Sequence, residues 1–574
     1  MISNSHEAGS MLALDLGSFT TRASLIDVVD GQYRLIAAGE ARTSAGSPHF
    51  DIRIGAAEAV RQIEAVIDRQ LVDRHGTLIM PLQASGNGFD SLVILYSCVP
   101  ELKIAAAGLV NEISLESAQH LVSGIYGKTV EIIGLQDRRD TAGMVDDILK
   151  QEPEVIILTG GTENGAVRSI ARLTQLVQKV CQFTRRDQAP EVLYAGNSRM
   201  AEHVRTSLEK HTSVSITENI RPGIEIESLA PAKGALAEIA FHNARRKING
   251  LTELTDQSST LPLQTASGMG LLVQMIHEIK GGSRPVLGVD IGAAYASMSL
   301  ARRKRSMDVT LPLGTGWNVS QLLQNGKLEE IAKWLSPSIS TARILDVLSQ
   351  KAIYPQIQPV SGEMQDIELA VLRVVLRTLI QNLQARWRIP ASAMEPILLC
   401  GKPLANLNPP GVALMAALDG LQPAGITTIM RDPHGLVPVL GAAGRVNPLI
   451  PVQLFDSGAI DHLATTICPV SKAPLGTPIL RVKMTDEAGK DEELVIKQGS
   501  LAVLPIRFNQ VVKVHLQGMH GTLVDTLTHT SNVTLMITGG LCGAVIDARG
   551  RPLILPKNAA ERWDRIEKWR RVFG

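Results

Sequence analysis

The sequence predicts an α/β chain: a core of two related lobes, a parallel α/β domain inserted between them, and an all-β domain at the C-terminal end. Three observations carry this. A strand that ends in Asp-x-Gly occurs twice, as Leu12-Ala-Leu-Asp15-Leu-Gly17 and as Val286-Leu-Gly-Val-Asp290-Ile-Gly292, about 275 residues apart. Between the two, buried apolar strands alternate with amphipathic helical stretches, the pattern of βαβ units on a parallel sheet. Beyond Pro451 helical periodicity nearly vanishes, and short strand-like runs alternate with Gly and Pro turns.

Bulk properties bound the function. At 574 residues the chain should hold several domains. A net charge of +1 gives no general attraction to nucleic acid or acidic membranes. Aromatics at 3% disfavour a base-stacking surface. The five cysteines, Cys98, Cys181, Cys400, Cys468 and Cys542, are scattered and form no CxxC, so they read as reduced thiols in a cytoplasmic protein. No apolar run approaches the ~20 residues of a membrane helix. The polar opening, residues 1–10, reads as a frayed tail and not a signal peptide.

The elements follow in order. Residues 1–84 form the expected first lobe. Leu12, Leu14 and Leu16 alternate with Ala13 and Asp15 in a strand that turns at Gly17-Ser18 and returns near Thr21-Arg22. A third strand covers 32–41, and Val60, Ile63, Val66, Ile67 and Leu71 share a helical face. Strand, strand, strand, helix is how a ribonuclease-H-like half begins. Residues 85–248 are the inserted α/β domain, with strands at 91–99, 130–133, 155–158, 192–195 and 214–217. Residues 249–284 are a polar linker (249–265) and a helix. Residues 285–450 are the second lobe: the repeated hairpin, further strands at 307–313, 396–401 and 426–430, and helices at 365–387 and 411–421. Residues 451–574 are a β-barrel or sandwich closed by a short basic helix.

The repeated hairpin carries the chemistry. A turn of Gly, Ser and Thr offers backbone N–H groups and hydroxyls on one concave surface, which suits phosphate oxygens because fixed donors replace water without reorganising. Gly17, Ser18, Thr20, Thr21 and Arg22 are the candidate phosphate ligands from one side, and Gly292 from the other. Asp15 and Asp290 are the candidate catalytic and metal-holding carboxylates, since Mg²⁺ keeps most of its hydration shell and can be held through water. Two such hairpins facing each other can clamp a triphosphate. The turns at Gly160, Gly161, Gly196 and Asn197 end buried strands, where open α/β sheets bind ligands, and form a second candidate ligand turn. The same glycines also serve sharp strand-to-helix turns.

Other signals fail. Gly124-Ile-Tyr-Gly-Lys-Thr129 imitates the end of a P-loop but has Val122 where the motif needs Gly, and runs from helix into strand. Asp432-Pro-His434-Gly435 lacks the spacing of a cobalt-ligating histidine and reads as a turn before a strand. No HExxH and no Gly-x-Ser-x-Gly occurs. Arg302-Arg-Lys-Arg305 reads as a solvated hairpin tip.

The order of the motifs adds a resemblance. Asp15-x-Gly-Ser-x-x-Thr-Arg22 resembles the first phosphate loop of the actin, Hsp70 and sugar-kinase superfamily. Over nearly the whole chain the sequence resembles the glutamate mutase accessory proteins of the MutL/GlmL type, unrelated to the mismatch-repair protein of that name. The matching pieces are Leu14-Asp-Leu-Gly-Ser-Phe-Thr-Thr-Arg22, Ile156-Ile-Leu-Thr-Gly-Gly-Thr-Glu-Asn-Gly165, Tyr194-Ala-Gly-Asn197 and Thr217-Glu-Asn-Ile-Arg-Pro222. Gly288-Val-Asp-Ile-Gly292, Ala416-Ala-Leu-Asp-Gly-Leu-Gln-Pro423 and His434-Gly-Leu-Val-Pro438 follow in family order.

The resemblance implies a duplicated ribonuclease-H-like, actin/Hsp70-like core. It further implies ATP and Mg²⁺ as cofactors, Gly401 with Lys402 beside the adenosine, and subunits of a coenzyme-B12-dependent mutase as partners, with no cobalamin ligand in this chain. The expected function is a nucleotide-gated accessory or reactivating protein, with slow ATP turnover at most. One departure qualifies it: the second loop reads Asp290-Ile-Gly-Ala-Ala-Tyr-Ala-Ser297, where family members commonly keep Asp-x-Gly-Gly-Ala-Thr-Thr-Asp. The alternatives are therefore a non-hydrolysing scaffold of the same fold and, third, a small-molecule kinase.

Overall fold

A computed structural model describes residues 9–163, 165–303, 305–389, 393–485 and 491–573. The chain divides into two compact units, one of Met1–Thr43, Ala56–Leu95 and Gly268–Gly574, the other of Ser44–Gly55 and Tyr96–Ser267.

In the larger unit, strand Met11–Leu16 pairs antiparallel with Thr20–Val29, which pairs antiparallel with Gln32–Arg42. Strand Ser91–Tyr96 lies on the other side of Met11–Leu16. The second sheet repeats this plan. Val286–Ile291, Ala296–Arg302 and Arg305–Leu311 form an antiparallel meander, and Ile397–Cys400 and Gly425–Arg431 are added in parallel beyond Val286–Ile291. Three antiparallel strands followed by parallel ones is the ribonuclease-H-like order, so the core is a mixed α/β duplication. The lobes are locked through helices. At the crossing of Thr265–Ile279 with Leu436–Ala443, a Cβ added to Gly441 would stand 1.8 Å from the Gly268 carbonyl oxygen.

The strands expected to stand apart from residue 451 are shared between two sheets. Asp461–Cys468, Ala544–Asp547 and Leu501–Leu504 extend the second-lobe sheet to eight strands. Pro478–Thr485, Asp491–Lys497, Val511–Gly518 and Asn532–Thr538 form an antiparallel four-stranded sheet. Val482, Val514 and Ile537 of that sheet pack with Ile426, Ile467 and Ile546 of the larger one. Alternating burial along Val511–Gly518 follows, one face in the core and the other in water.

The smaller unit is a five-stranded parallel sheet. Gly127–Ile133 pairs with Leu102–Ala107, then come Val155–Leu158, Glu191–Tyr194 and Val214–Ile216. Helices cover both faces: Met144, Ile148, Leu173 and Val177 pack on one, Leu121, Leu236 and Ile239 on the other. Burial on two sides is why Val155-Ile-Ile-Leu158 carries no polar residue. The stretch 249–265, expected to be a linker, belongs to this unit: it contains helix Leu251–Thr255 and strand Leu263–Gln264, and the Gln264 side chain accepts from the Tyr126 amide at 2.7 Å. Among the described residues no helix is long and apolar enough to cross a membrane.

Candidate functional site

The two Asp-x-Gly hairpins have one register. In the first, Met11 faces Ile26, Asp15 faces Arg22 and Leu16 faces Thr21. In the second, Val286 faces Ala301, Asp290 faces Ser297 and Ile291 faces Ala296, every pair 275 positions further on. The turns, residues 17–20 and 292–295, are thus of equal length. Side chains of directly opposed residues leave the sheet on the same side. Arg22 therefore accompanies Asp15, and Ser297 accompanies Asp290.

Arg22 is the hub of the site. Its side chain is 13% exposed, and its Nε donates to Glu40 at 2.7 Å. Glu40 is its cross-strand neighbour on Gln32–Arg42. The other Glu40 oxygen pairs with the Lys402 ammonium from the second lobe. Burial works to raise the Glu40 carboxyl, but Arg22 and Lys402 outweigh it and hold the group below the usual carboxylate range. On the far side, a Cβ at Gly435 would stand 2.5 Å from Arg22 Nη1, and Gly435 has φ +71°. That left-handed backbone favours glycine.

The second lobe supplies three further groups. Asp290, one residue before the end of its strand, lies beside Cys400 on the parallel neighbour. Its carboxyl is pushed up to about 7, first by burial, then by the charges of Asp15 and Asp432, with Arg22 opposing. Asp432 is buried and accepts from the amides of His434, Leu436 and Val437 at 3.2, 2.9 and 2.7 Å. It caps helix Leu436–Ala443, so the turn expected to lead into a strand leads into a helix instead. Gly401, φ +90°, brings its backbone against Ile291: an added Cβ would lie 2.1 Å from that carbonyl oxygen. Lys402 follows and reaches Glu40.

The turns are braced differently. Thr21 is fully buried, and its hydroxyl meets that of Thr43 at 2.9 Å, while Thr43 donates to the Gly17 carbonyl at 2.7 Å. Thr21, proposed from the sequence as a phosphate ligand, takes part in this brace. Thr20 pairs with Arg42 at the start of its strand. In the second turn the carbonyls of Gly292, Ala293 and Ala294 accept from the amides of Thr315, Gly316 and Gly314 at 3.1, 3.0 and 3.0 Å. Asn318 adds a side-chain bond to Ala294. Phe19 and Trp317, one from each side, meet with ring centroids 6.0 Å apart and planes tilted by 58°.

The groups at the site bear differently on the two implied cofactors. ATP is a polyphosphate anion, and the donors suit one. Arg22 and Lys402 are cationic, Ser18 and Gly17 border the turn, and the Ser297 hydroxyl, 2% exposed, is buried without a hydrogen-bond partner among the described residues. Among the described residues no three His, Cys, Asp or Glu side chains converge to hold a metal. The Arg22 guanidinium already acts electrostatically on Asp15, Asp290 and Asp432.

The second candidate turn is closed on itself. A Cβ at Gly160 would stand 2.5 Å from Leu109, and one at Gly196 would stand 2.8 Å from the Gly160 carbonyl. Gly161 has φ +70°. Asn197 is buried, accepts from the Arg199 amide at 3.1 Å and so caps its own short helix. The glycines serve strand ends that touch, with Asn219 tying Gly161 and Glu163 together at 2.8 Å each.

Four site residues escaped the sequence reading. Glu40 needs the strand register to be seen, and Ser297 needs the superposition of the hairpins. Asp432 and Gly435 did carry a signal: an acidic residue shortly before an apolar helix, with glycine at its entry.

No curated protein matches this chain. Among solved structures, nucleotide-free acetone carboxylase is 11% identical, with 86% of this chain and 81% of that one covered and a TM-score of 0.33. Glycerol dehydratase reactivase is 12% identical, with coverages of 76% and 100% and a TM-score of 0.29. The activator of 2-hydroxyisocaproyl-CoA dehydratase from Clostridium difficile, with bound ADPNP, is 10% identical, with coverages of 76% and 92% and a TM-score of 0.25. Residues 11–458 match the family model described as MutL protein, so the chain belongs to the MutL protein family.

Proposed function

We propose that this chain is a nucleotide-gated accessory or reactivating protein for a coenzyme-B12-dependent isomerase of the glutamate mutase type. The observation that carries the reading is the matched pair of hairpins, joined across the lobes by Arg22 at the Gly435 turn and by Lys402 at Glu40. Family membership supports the mutase as partner.

When bound, ATP would supply a polyphosphate whose charge competes for Arg22 and Lys402. Ser18, Thr20 and the backbone of Gly17 would meet it from the first lobe, and the backbone of Gly292 from the second. Gly401 would let the adenosine approach the backbone beside Lys402. A carboxyl near pKa 7 at Asp290 is partly protonated at neutral pH, which weakens its repulsion of phosphate. Taking Lys402 from Glu40 would alter the link between the lobes. A near-complete switch by this route requires about 5.5 kcal/mol of difference in ATP affinity between the two states.

The test is calorimetric titration of ATP into the full chain, with and without Mg²⁺, beside Lys402→Ala. Binding should weaken by about tenfold in the variant, the worth of one charge-assisted contact. Absence of any heat in the unmodified chain sinks the reading. ATP-dependent co-elution with glutamate mutase subunits tests the partner.

A second reading, a non-hydrolysing scaffold, is favoured by the second turn, where Ala293, Tyr295 and Ala296 bring no small hydroxyl. Phosphate release separates the two: ATP bound and never cleaved supports the scaffold.

A further inference from the structure

We propose that Glu40 stands in for an anion in the free chain: its carboxylate occupies Arg22 and Lys402, and a polyphosphate binds these two cations by displacing it. The inference rests on the function proposed above in one respect, that Arg22 and Lys402 are the cations a polyphosphate would meet.

Glu40 is engaged at both oxygens. One accepts from Arg22 Nε at 2.7 Å, and the other from the Lys402 ammonium. A single carboxylate thus takes one cation from each lobe, and phosphate oxygens accept from the same two donor types. The partners are placed by backbone packing. Strand register sets Glu40 directly across from Arg22. Beside it, a Cβ added to Gly39 would stand 2.1 Å from the Ala59 carbonyl oxygen, so this strand is pressed onto helix Ile52–Glu64. Lys402 leaves from Gly401, whose backbone is pressed onto Ile291 just as closely. An ordinary surface ion pair contributes little, because two long side chains must be ordered to make it. Here the backbones do much of that ordering, and one carboxylate serves two cations.

Exposure shows where displacement can start. The Arg22 side chain is 13% exposed, whereas those of Glu40 and Lys402 are 41% and 39% exposed. An anion in water therefore reaches the Glu40–Lys402 contact first. Charge decides the exchange. A carboxylate brings one negative charge to the two cations and a polyphosphate brings several, so the polyphosphate gains more from the same pair. An anion no more charged than a carboxylate gains nothing by the exchange. Glu40 thereby keeps chloride and simple carboxylates from these cations and admits polyphosphates.

The test is calorimetric titration of inorganic tripolyphosphate into the full chain at fixed ionic strength. Glu40→Gln should bind it about tenfold more tightly than the unmodified chain, because two charge-assisted donors are released. The gain should vanish in the double variant Glu40→Gln with Lys402→Met. Glu40→Asp keeps the charge but draws the carboxylate back by one methylene, and should shift affinity in the same direction as Glu40→Gln. A folded Glu40→Gln or Glu40→Asp protein that binds tripolyphosphate no more tightly than the unmodified chain overturns the proposal. So does a gain that survives the loss of Lys402. Failure of both single variants to fold overturns it too, since a group that an anion replaces must be dispensable to the fold. Tripolyphosphate bound by Glu40→Gln, beside an unmodified chain that gives no heat with ATP, supports the role of Glu40 and counts against the nucleotide reading alone.

Discussion

Where the first hairpin sets Arg22 across from Asp15, the second sets Ser297 across from Asp290, on turns of equal length and in one register. Duplication kept the backbone and let the side chains part. The first turn is braced by hydroxyls, Thr21 to Thr43 and Thr43 to Gly17. The second is braced by backbone amides from 314–316, packed so closely that a Cβ at Gly314 would stand 2.3 Å from Ala293. This changes the meaning of the missing threonine at Ala296. Its counterpart Thr21 is a buried brace, so the loss of that hydroxyl is repaired by neighbouring backbone and need not remove a phosphate donor.

The largest effect expected from breaking this match is at Gly17. A Cβ there would stand 2.3 Å from the Thr20 carbonyl oxygen, a backbone atom that moves only if the turn opens. Gly17→Ala should destabilise the larger unit by about 2 kcal/mol, in the range of overpacking a fitted site. Urea unfolding followed by circular dichroism reads it. A loss below experimental error would mean that the first turn has as much room at Gly17 as the second has at Gly292.

How much of this was legible in the sequence depends on the range of the signal. The hairpins announced themselves because strand, Asp and Gly are contiguous, and the inserted sheet because each strand is a short apolar run such as Val155-Ile-Ile-Leu158. The shared membership of 461–547 was not legible: whether Asp461–Cys468 pairs with Gly425–Arg431 is decided by long-range register, which local composition does not encode. The same holds for the site. Asp15 and Asp290 were read from their motifs, whereas Glu40 joins Arg22 only through strand pairing and Lys402 only through the meeting of the lobes. Thr21 shows the reverse case, since the structure places its hydroxyl in a bond to Thr43. A hydroxyl in a polar-looking turn can be consumed by a local brace, and sequence does not tell donor from brace.

A middle-sized effect should sharpen the comparison at Ser297. Its hydroxyl is buried with no partner among the described residues, and such an unsatisfied group costs about 1 kcal/mol or more. Ser297→Ala should therefore leave stability unchanged or raise it by about 1 kcal/mol, measured by the same unfolding. If the hydroxyl waits for a phosphate oxygen, ATP affinity should fall while stability does not. A destabilising Ser297→Ala would show that the hydroxyl is satisfied and that the second hairpin is no emptier than the first.

The smallest effect is expected at Gly292, the counterpart of Gly17. There an added Cβ meets only the Tyr295 carbonyl at 3.4 Å, an ordinary contact, and the residue has no left-handed backbone to defend. Replacing glycine at such a position mainly restricts the unfolded chain, so Gly292→Ala should be neutral or stabilising by about 0.5 kcal/mol. The two alanine substitutions thus differ in sign or nearly so, although the positions correspond in register. Calorimetric melting of both variants reads the difference directly. Should Gly292→Ala keep its stability and lose ATP affinity, the second glycine is there for a ligand that must come close to the backbone. Should it keep both, the second turn is a structural echo of the first, and recognition rests on Arg22, Lys402 and the first-lobe turn alone.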